Sequence, residues 1–154
     1  MRYFVLILII LVGCEHVAMD YSYPLSVKNN SDHSINLYLN DNENFVSIYP
    51  DTIISNFSER ISQQILSKET RYIAGGSANW ESIFRVSVPS DTLSIFVIHY
   101  DSLNKYSWDE IRNNYEVLKR FDFSLQDLEH INYLIEYPAS SSMSEIKQFP
   151  KYEE

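Results

Sequence analysis

A chain of 154 residues with 45% apolar and 21% charged side chains has the size and composition of one globular domain, which excludes a collagenous, low-complexity or disulfide-scaffold protein. Its 12 basic residues against 21 acidic ones give a net charge of −9. Such a surface repels phosphate backbones, which excludes nucleic acid as a partner, and it disfavours anionic lipid unless a covalent group holds the protein there.

The chain opens on Met1-Arg2 and then nine apolar residues, Phe4 to Val12. As a helix that run is about 14 Å long, under half of the roughly 30 Å of a bilayer core, so it is too short for a membrane span. Its length suits the apolar stretch of a secretory signal peptide. Leu11-Val12-Gly13-Cys14 follows, with a small residue before the only cysteine of the sequence. This tetrapeptide resembles the lipobox of bacterial lipoproteins. The resemblance implies a diacylglycerol on the Cys14 thiol, cleavage before Cys14 and acylation of the new amine. It divides the chain into a signal peptide at 1–13, a lipidated N-terminus and tether at 14–23, and a body. The competing readings are a plain signal peptide and a buried strand holding a chance cysteine. A lone thiol in an oxidising compartment is a liability unless it is used, and lipidation uses it. One acyl chain holds a protein only marginally, whereas two or three on one residue hold it permanently, even against the charge of −10 left when Arg2 is removed. The expected partner through Cys14 is therefore a membrane, and the expected placement is the bacterial cell envelope, on the outer membrane. Glu15 and Asp20 in the tether do not assign a leaflet.

The body reads as short strands separated by turns. Leu25 and Val27 alternate with Ser26 and Lys28, then come the turn formers Asn29-Asn30-Ser31-Asp32, then Ile35, Leu37 and Leu39 alternate again. The pattern predicts a hairpin. Phe45 to Tyr49 is a further strand, and Ile61 to Leu66 and Thr70 to Ala74 are weaker ones. Gly75-Gly76 marks a reversal that uses positive φ. Trp80, Ile83 and Phe84 fall at helical spacing. Thr92 to Tyr100 leaves no polar face, which predicts a central strand covered on both sides. Trp108, Ile111 and Tyr115 predict a short helix capped by Ser107. Val117, Phe121 and Phe123 share one face of a strand. Ser124 to Asp127 resembles a capping box, opening a helix with Leu125, Leu128 and Ile131 as its stripe. Leu134 to Tyr137 is a closing strand. The body is thus one domain at 24–138, and Ser140-Ser141-Ser142 onward reads as a flexible tail at 139–154. Pro50-Asp51-Thr52 and Pro89-Ser90-Asp91-Thr92 echo each other, a likeness that turn chemistry produces without duplication.

About seven short strands with two or three short helices argue for a mainly β protein, a β-sandwich. The alternative is an α+β layer, one antiparallel sheet with helices on one face. Trp108-x-x-Ile111, Tyr115, Leu118-Lys119-Arg120, Ser124-Leu125-x-x-Leu128, Asn132-Tyr133 and Tyr137-Pro138 resemble the C-terminal half of small lipoproteins of Bacteroides-type gut bacteria. Asn29-Asn30-Ser31, Tyr49-Pro50-Asp51-Thr52 and Asp91-Thr92-Leu93-Ser94 fit the same group. The resemblance implies surface or periplasmic placement and supplies no catalytic or binding residues.

The chemistry-bearing residues form no strong motif. The histidines, His16, His33, His99 and His130, show no metal-ligand spacing, so no metal and no cofactor is expected. His99 and Asp101 follow the most apolar strand, but no Gly-x-Ser-x-Gly elbow presents a nucleophile to them. Asp41-Asn42-Glu43-Asn44 lacks the glycine and distal glutamate of a calcium loop. Asp109 and Glu110 are adjacent and point to different helix faces, which is no glycosidase dyad. Twelve tyrosines and two tryptophans are many for this length. Tyr21, Tyr23, Tyr38 and Tyr49 are the candidates to stack on sugar rings, while Trp80, Trp108 and Tyr115 lie on helix stripes as core. The expected function is a lipid-anchored, non-enzymatic binding or accessory protein of the envelope, with other envelope proteins or glycans as partners. A glycan-binding module of a surface uptake system and a hydrolase are the alternatives. The first predicts one exposed aromatic or apolar patch. The glycan module predicts exposed Tyr or Trp beside carboxylates and amides on one sandwich face.

Overall fold

The computed structural model describes residues 24–40, 63–74, 79–86, 88 and 91–151. Among them the fold is mainly β. The strands are β1 (Leu25–Asn29), β2 (Ile35–Asn40), β3 (Gln63–Ile65), β4 (Thr70–Ala74), β5 (Leu93–His99), β6 (Lys119–Phe123), β7 (Leu134–Tyr137) and β8 (Lys147–Phe149). The helices are α1 (Trp80–Val86), α2 (Tyr100–Lys105), α3 (Trp108–Asn114) and α4 (Leu125–His130). A three-stranded sheet runs β4-β1-β7 and a five-stranded one β3-β2-β5-β6-β8. In the first, β1 pairs antiparallel with β4 and parallel with β7; every pair in the second is antiparallel.

The two sheets enclose one main core. Leu25 and Val27 of β1, Ile35 and Leu37 of β2, Leu93, Ile95 and Val97 of β5 and Ile135 of β7 all face it. Trp80 and Phe84 of α1 and Leu128 of α4 complete it, the Trp80 and Tyr133 rings stacking with centroids 6.0 Å apart. The opposite face of the five-stranded sheet carries a second, smaller cluster. Tyr38, Phe96, Ile98, Ile111 and Val117 form it, with Leu103 of α2 and Trp108 of α3 packed against them. Thus β5 lies at the centre of its sheet with alternate residues in two cores, which is why its sequence has no polar face. The molecule joins features of both expected architectures: two sheets around a core that α1 and α4 help to fill, with α2 and α3 layered on the outer face of the five-stranded sheet.

Ser107 caps α3 and Ser124 caps α4, each in a full capping box closed by Glu110 and Asp127. Each box satisfies helix-end donors reciprocally, so these short helices start where the serines stand. Tyr115 ends α3 in the left-handed region, φ 51°.

Three expectations are corrected. β1 and β2 do not form a hairpin; they lie in different sheets. The cause is Asn29, fully buried at the corner between them. Its Nδ2 donates to the carbonyls of His33, Ile65 and Leu66, and its Oδ1 accepts from the backbone N–H and the hydroxyl of Ser31. Asn29 therefore ties the turn to the end of β3, and the chain crosses between sheets instead of folding back. The supposed flexible tail is ordered through residue 151: a 3₁₀ turn at Ser141–Met143 and then β8, which pairs with β6. Met143 and Ile146 enter the main core, and Gln148 is buried with its amide donating to the Met143 carbonyl at 2.9 Å. Val117, expected on the face of Phe121 and Phe123, belongs instead to the second cluster, because it precedes the strand that begins at Lys119. The reversal at Gly75-Gly76 and the strand at Phe45–Tyr49 lie outside the described residues.

Candidate functional site

The three-stranded sheet has an outer face on which its side chains stand in rows. Cross-strand pairing puts Tyr72, Ser26 and Leu134 in one row and Thr70, Lys28 and Glu136 in the next. A bulge in β4, where the register shifts between Leu25 and Ser26, lets Ile73 and Ala74 both reach the core while Tyr72 faces outward. Tyr72 is 51% exposed and Leu134 36%, two of the four exposed large apolar residues among those described.

Beside them Lys28 and Glu136 of the polar row are bonded to each other. Lys28 Nζ donates to Glu136 Oε1 at 3.2 Å, and Asn30 Nδ2 donates to the same oxygen at 3.2 Å. Hydrogen bonds from Ser140, Lys28 and Asn30 hold the Glu136 carboxyl below the usual carboxylate range, against the opposing effect of burial. The face is therefore a half-exposed aromatic ring and an aliphatic side chain flanked by hydroxyls, an amide and a charge-balanced pair. That combination can contact an apolar surface and donate or accept hydrogen bonds around it.

A second polar cluster, on the outer face of the five-stranded sheet, is closed to solvent. Arg120 and Asp122 of β6 are 1% and 3% exposed. Arg120 Nε donates to Asp122 Oδ1 at 2.7 Å and Nη2 to Oδ2 at 3.1 Å, while Ser94 Oγ donates to Oδ1 at 2.8 Å. Lys147 Nζ reaches Oδ2 at 3.0 Å, and the guanidinium lies between the Phe96 and Phe149 rings, 5.4 and 5.6 Å from their centroids. This fully ligated carboxylate has no lone pair directed at a substrate.

Among the described residues His33 and His99 come together without a catalytic arrangement. His33 and His99 stack at 4.5 Å, with Tyr137 edge-on to His33 at 6.4 Å. His99 Nδ1 accepts the backbone N–H of Asp101 at 3.1 Å, so the imidazole caps α2. A triad needs that nitrogen to carry a proton and donate it to the aspartate, whose Oδ2 is 3.9 Å away. Asp101 and His99 thus serve the helix end. His130 is exposed at the end of α4, and Asp109 and Glu110 occupy the first turn of α3, where Glu110 serves the cap.

Of the tyrosines expected at a binding surface, Tyr38 is 2% exposed and packs against Trp108, ring centroids 6.0 Å apart. Its position on β2 faces the second cluster, so it is a core residue. Trp80 is buried, and Trp108 and Tyr115 are half-buried against that cluster. Cys14, His16, Tyr21, Tyr23, Asp41 to Asn44 and Tyr49 lie outside the described residues. Tyr72, the exposed ring, goes unnoticed in the sequence because the Thr70–Ala74 run does not alternate cleanly.

No protein-family model matches the chain, and no curated protein or solved structure matches it either. Among the described residues no group of three or more His, Cys, Asp or Glu could hold a metal ion, and no helix is long and apolar enough to cross a membrane.

Proposed function

We propose that the protein is a lipid-anchored, non-enzymatic binding protein of the bacterial cell envelope, and that the outer face of the three-stranded sheet is its binding surface. The observation that carries the anchor is the sole cysteine of the chain, Cys14, at the end of a nine-residue apolar run after a basic start. Lipid on that thiol overcomes the repulsion between an acidic body and an anionic membrane.

The geometry is compatible with a tethered binder. Nine residues lie between Cys14 and Pro24, ten Cα-to-Cα steps with a reach of at most about 35 Å. They lead directly into β1, the middle strand of the three-stranded sheet, next to the row of Tyr72, Ser26 and Leu134. The exposed Tyr72 and Leu134 supply the apolar patch expected of a binding protein.

Membrane fractionation and mass spectrometry of natively expressed protein test the anchor. The expected product starts at Cys14 and carries a diacylglycerol thioether; Cys14→Ala is expected to remain uncut and to lose lipid-dependent membrane association. A mature chain with an intact Met1 or an unmodified thiol overturns the proposal.

A further inference from the structure

We propose that the outer face of the three-stranded sheet binds a short, uncharged oligosaccharide, with the Tyr72 ring as its stacking platform. This deepens the binding-surface reading above and rests on it. The first support is chemical. Tyr72 presents a half-exposed ring, Leu134 a flat aliphatic contact on the far strand, and Ser26 stands between them. A pyranose has an apolar face of C–H groups, which suits an aromatic ring, and a rim of hydroxyls that each donate and accept. Thr70, Lys28 and Glu136 in the neighbouring row supply partners of both kinds for that rim.

The second support is size. Tyr72 and Leu134 are two strand spacings apart, about 10 Å, the length of a disaccharide. A three-stranded face with two strands of five residues and one of four covers roughly 220 Å², well under a third of the 800 Å² that each partner buries in a stable protein interface. A second protein is therefore too large an occupant for this face alone.

The third support is charge. Lys28 and Glu136 neutralise each other at 3.2 Å, so the face offers no net charge to attract an ionic ligand, and the chain as a whole, at −9, repels anionic glycans. The same ion pair argues against a lipid bilayer as the occupant. Seating Tyr72 in a bilayer interface face-on would dehydrate Lys28, Thr70 and Glu136 with it, and burying charged groups without new partners is costly.

Isothermal titration calorimetry on the full chain, against maltotriose, cellotriose, xylotriose, mannotriose and triacetylchitotriose, tests the proposal. Saturable binding of at least one trisaccharide is expected. Tyr72→Phe keeps the ring and stays within about threefold of the wild type, whereas Tyr72→Ala weakens binding by about tenfold or more. Because Tyr72 is half-exposed, circular-dichroism melts of both variants are expected to match the wild type, which separates lost stacking from lost fold. Absence of saturable binding to all five sugars, or equal binding by Tyr72→Ala, overturns the proposal. So does Tyr72-dependent co-sedimentation of the unlipidated Cys14→Ala chain with phosphatidylethanolamine–phosphatidylglycerol vesicles, which would make the occupant a membrane. The sheet needs no lipid to bind sugar, so Cys14→Ala is expected to bind as the wild type does. Failure of the sugar titration and failure of the anchor are thereby read in separate experiments.

Discussion

Asp122 shows how a charged residue can be more constrained than the apolar ones around it. Burial alone would raise its pKa, but hydrogen bonds from Arg120 and Ser94, the Arg120 charge and the bond from Lys147 outweigh that and hold the carboxyl below the usual range. A depressed folded pKa means that the ionised pair stabilises the protein fully above the unfolded value of about 3.9, and that this contribution is lost as pH falls below it. Asp122→Asn leaves the Arg120 guanidinium buried between two phenyl rings without its counter-ion. The expected cost near neutral pH is about 3–5 kcal/mol. In urea denaturation the gap between variant and wild type should narrow as the buffer is taken toward about pH 3, because there the unfolded wild-type chain takes up a proton that the folded Asp122 carboxylate resists. A gap that stays constant across that range would show that Asp122 acts through shape and not through charge.

At the scale of elements, the sequence was most legible where one short-range rule decides. Ser107 and Ser124 announce α3 and α4, and the unbroken apolar run announces β5. Elements set by distant partners were not legible. Nothing local in Asn29 says that its amide will reach the carbonyls of Ile65 and Leu66, yet that contact sends β1 and β2 to different sheets. α2 went unseen because its cap is an imidazole, His99, and not a serine or aspartate. β8 was hidden by composition: Lys147-Gln148-Phe149 reads as a polar end, although Gln148 is buried and Lys147 bonds to Asp122. The candidate site was hidden for the same reason, since Ser26, Tyr72 and Leu134 meet only through strand pairing. A direct test of β8 follows. Deleting residues 140–154 removes Met143 and Ile146 from the core, bares the edge of β6 and strips Lys147 from Asp122. Each buried aliphatic or Met side chain lost costs about 2–5 kcal/mol, so the truncated chain is expected to be largely unfolded or insoluble. A truncation that melts like the full chain would return this segment to the status of a tail.

For the molecule as a whole, stability has to come from burial, since a single cysteine leaves the chain without an internal disulfide. That burial is divided by the five-stranded sheet into two clusters, and β5 is the strand that belongs to both, with every residue from Leu93 to Ile98 at most 2% exposed. Opening β5 means dismantling the main core and the helix-covered cluster together, so no partial unfolding exposes it cheaply. α2 is at the other extreme: six residues, none buried, held at its start by the His99 cap and by the Tyr100 N–H bond to the Ser34 carbonyl. Local opening there disturbs little more than Leu103 at the margin of the second cluster. Native-state hydrogen exchange should resolve this gradient. The amides of β5 are expected to exchange only through global unfolding, with a denaturant dependence equal to that of equilibrium denaturation. The amides of α2 are expected to exchange at least about a hundredfold faster through local fraying, a difference of at least about 2.7 kcal/mol in opening free energy, with almost no denaturant dependence. Equal protection in α2 and β5 would mean that the helical layer and the sandwich open as one unit, and that the second cluster is an extension of the first core and not a separate support for the strand between them.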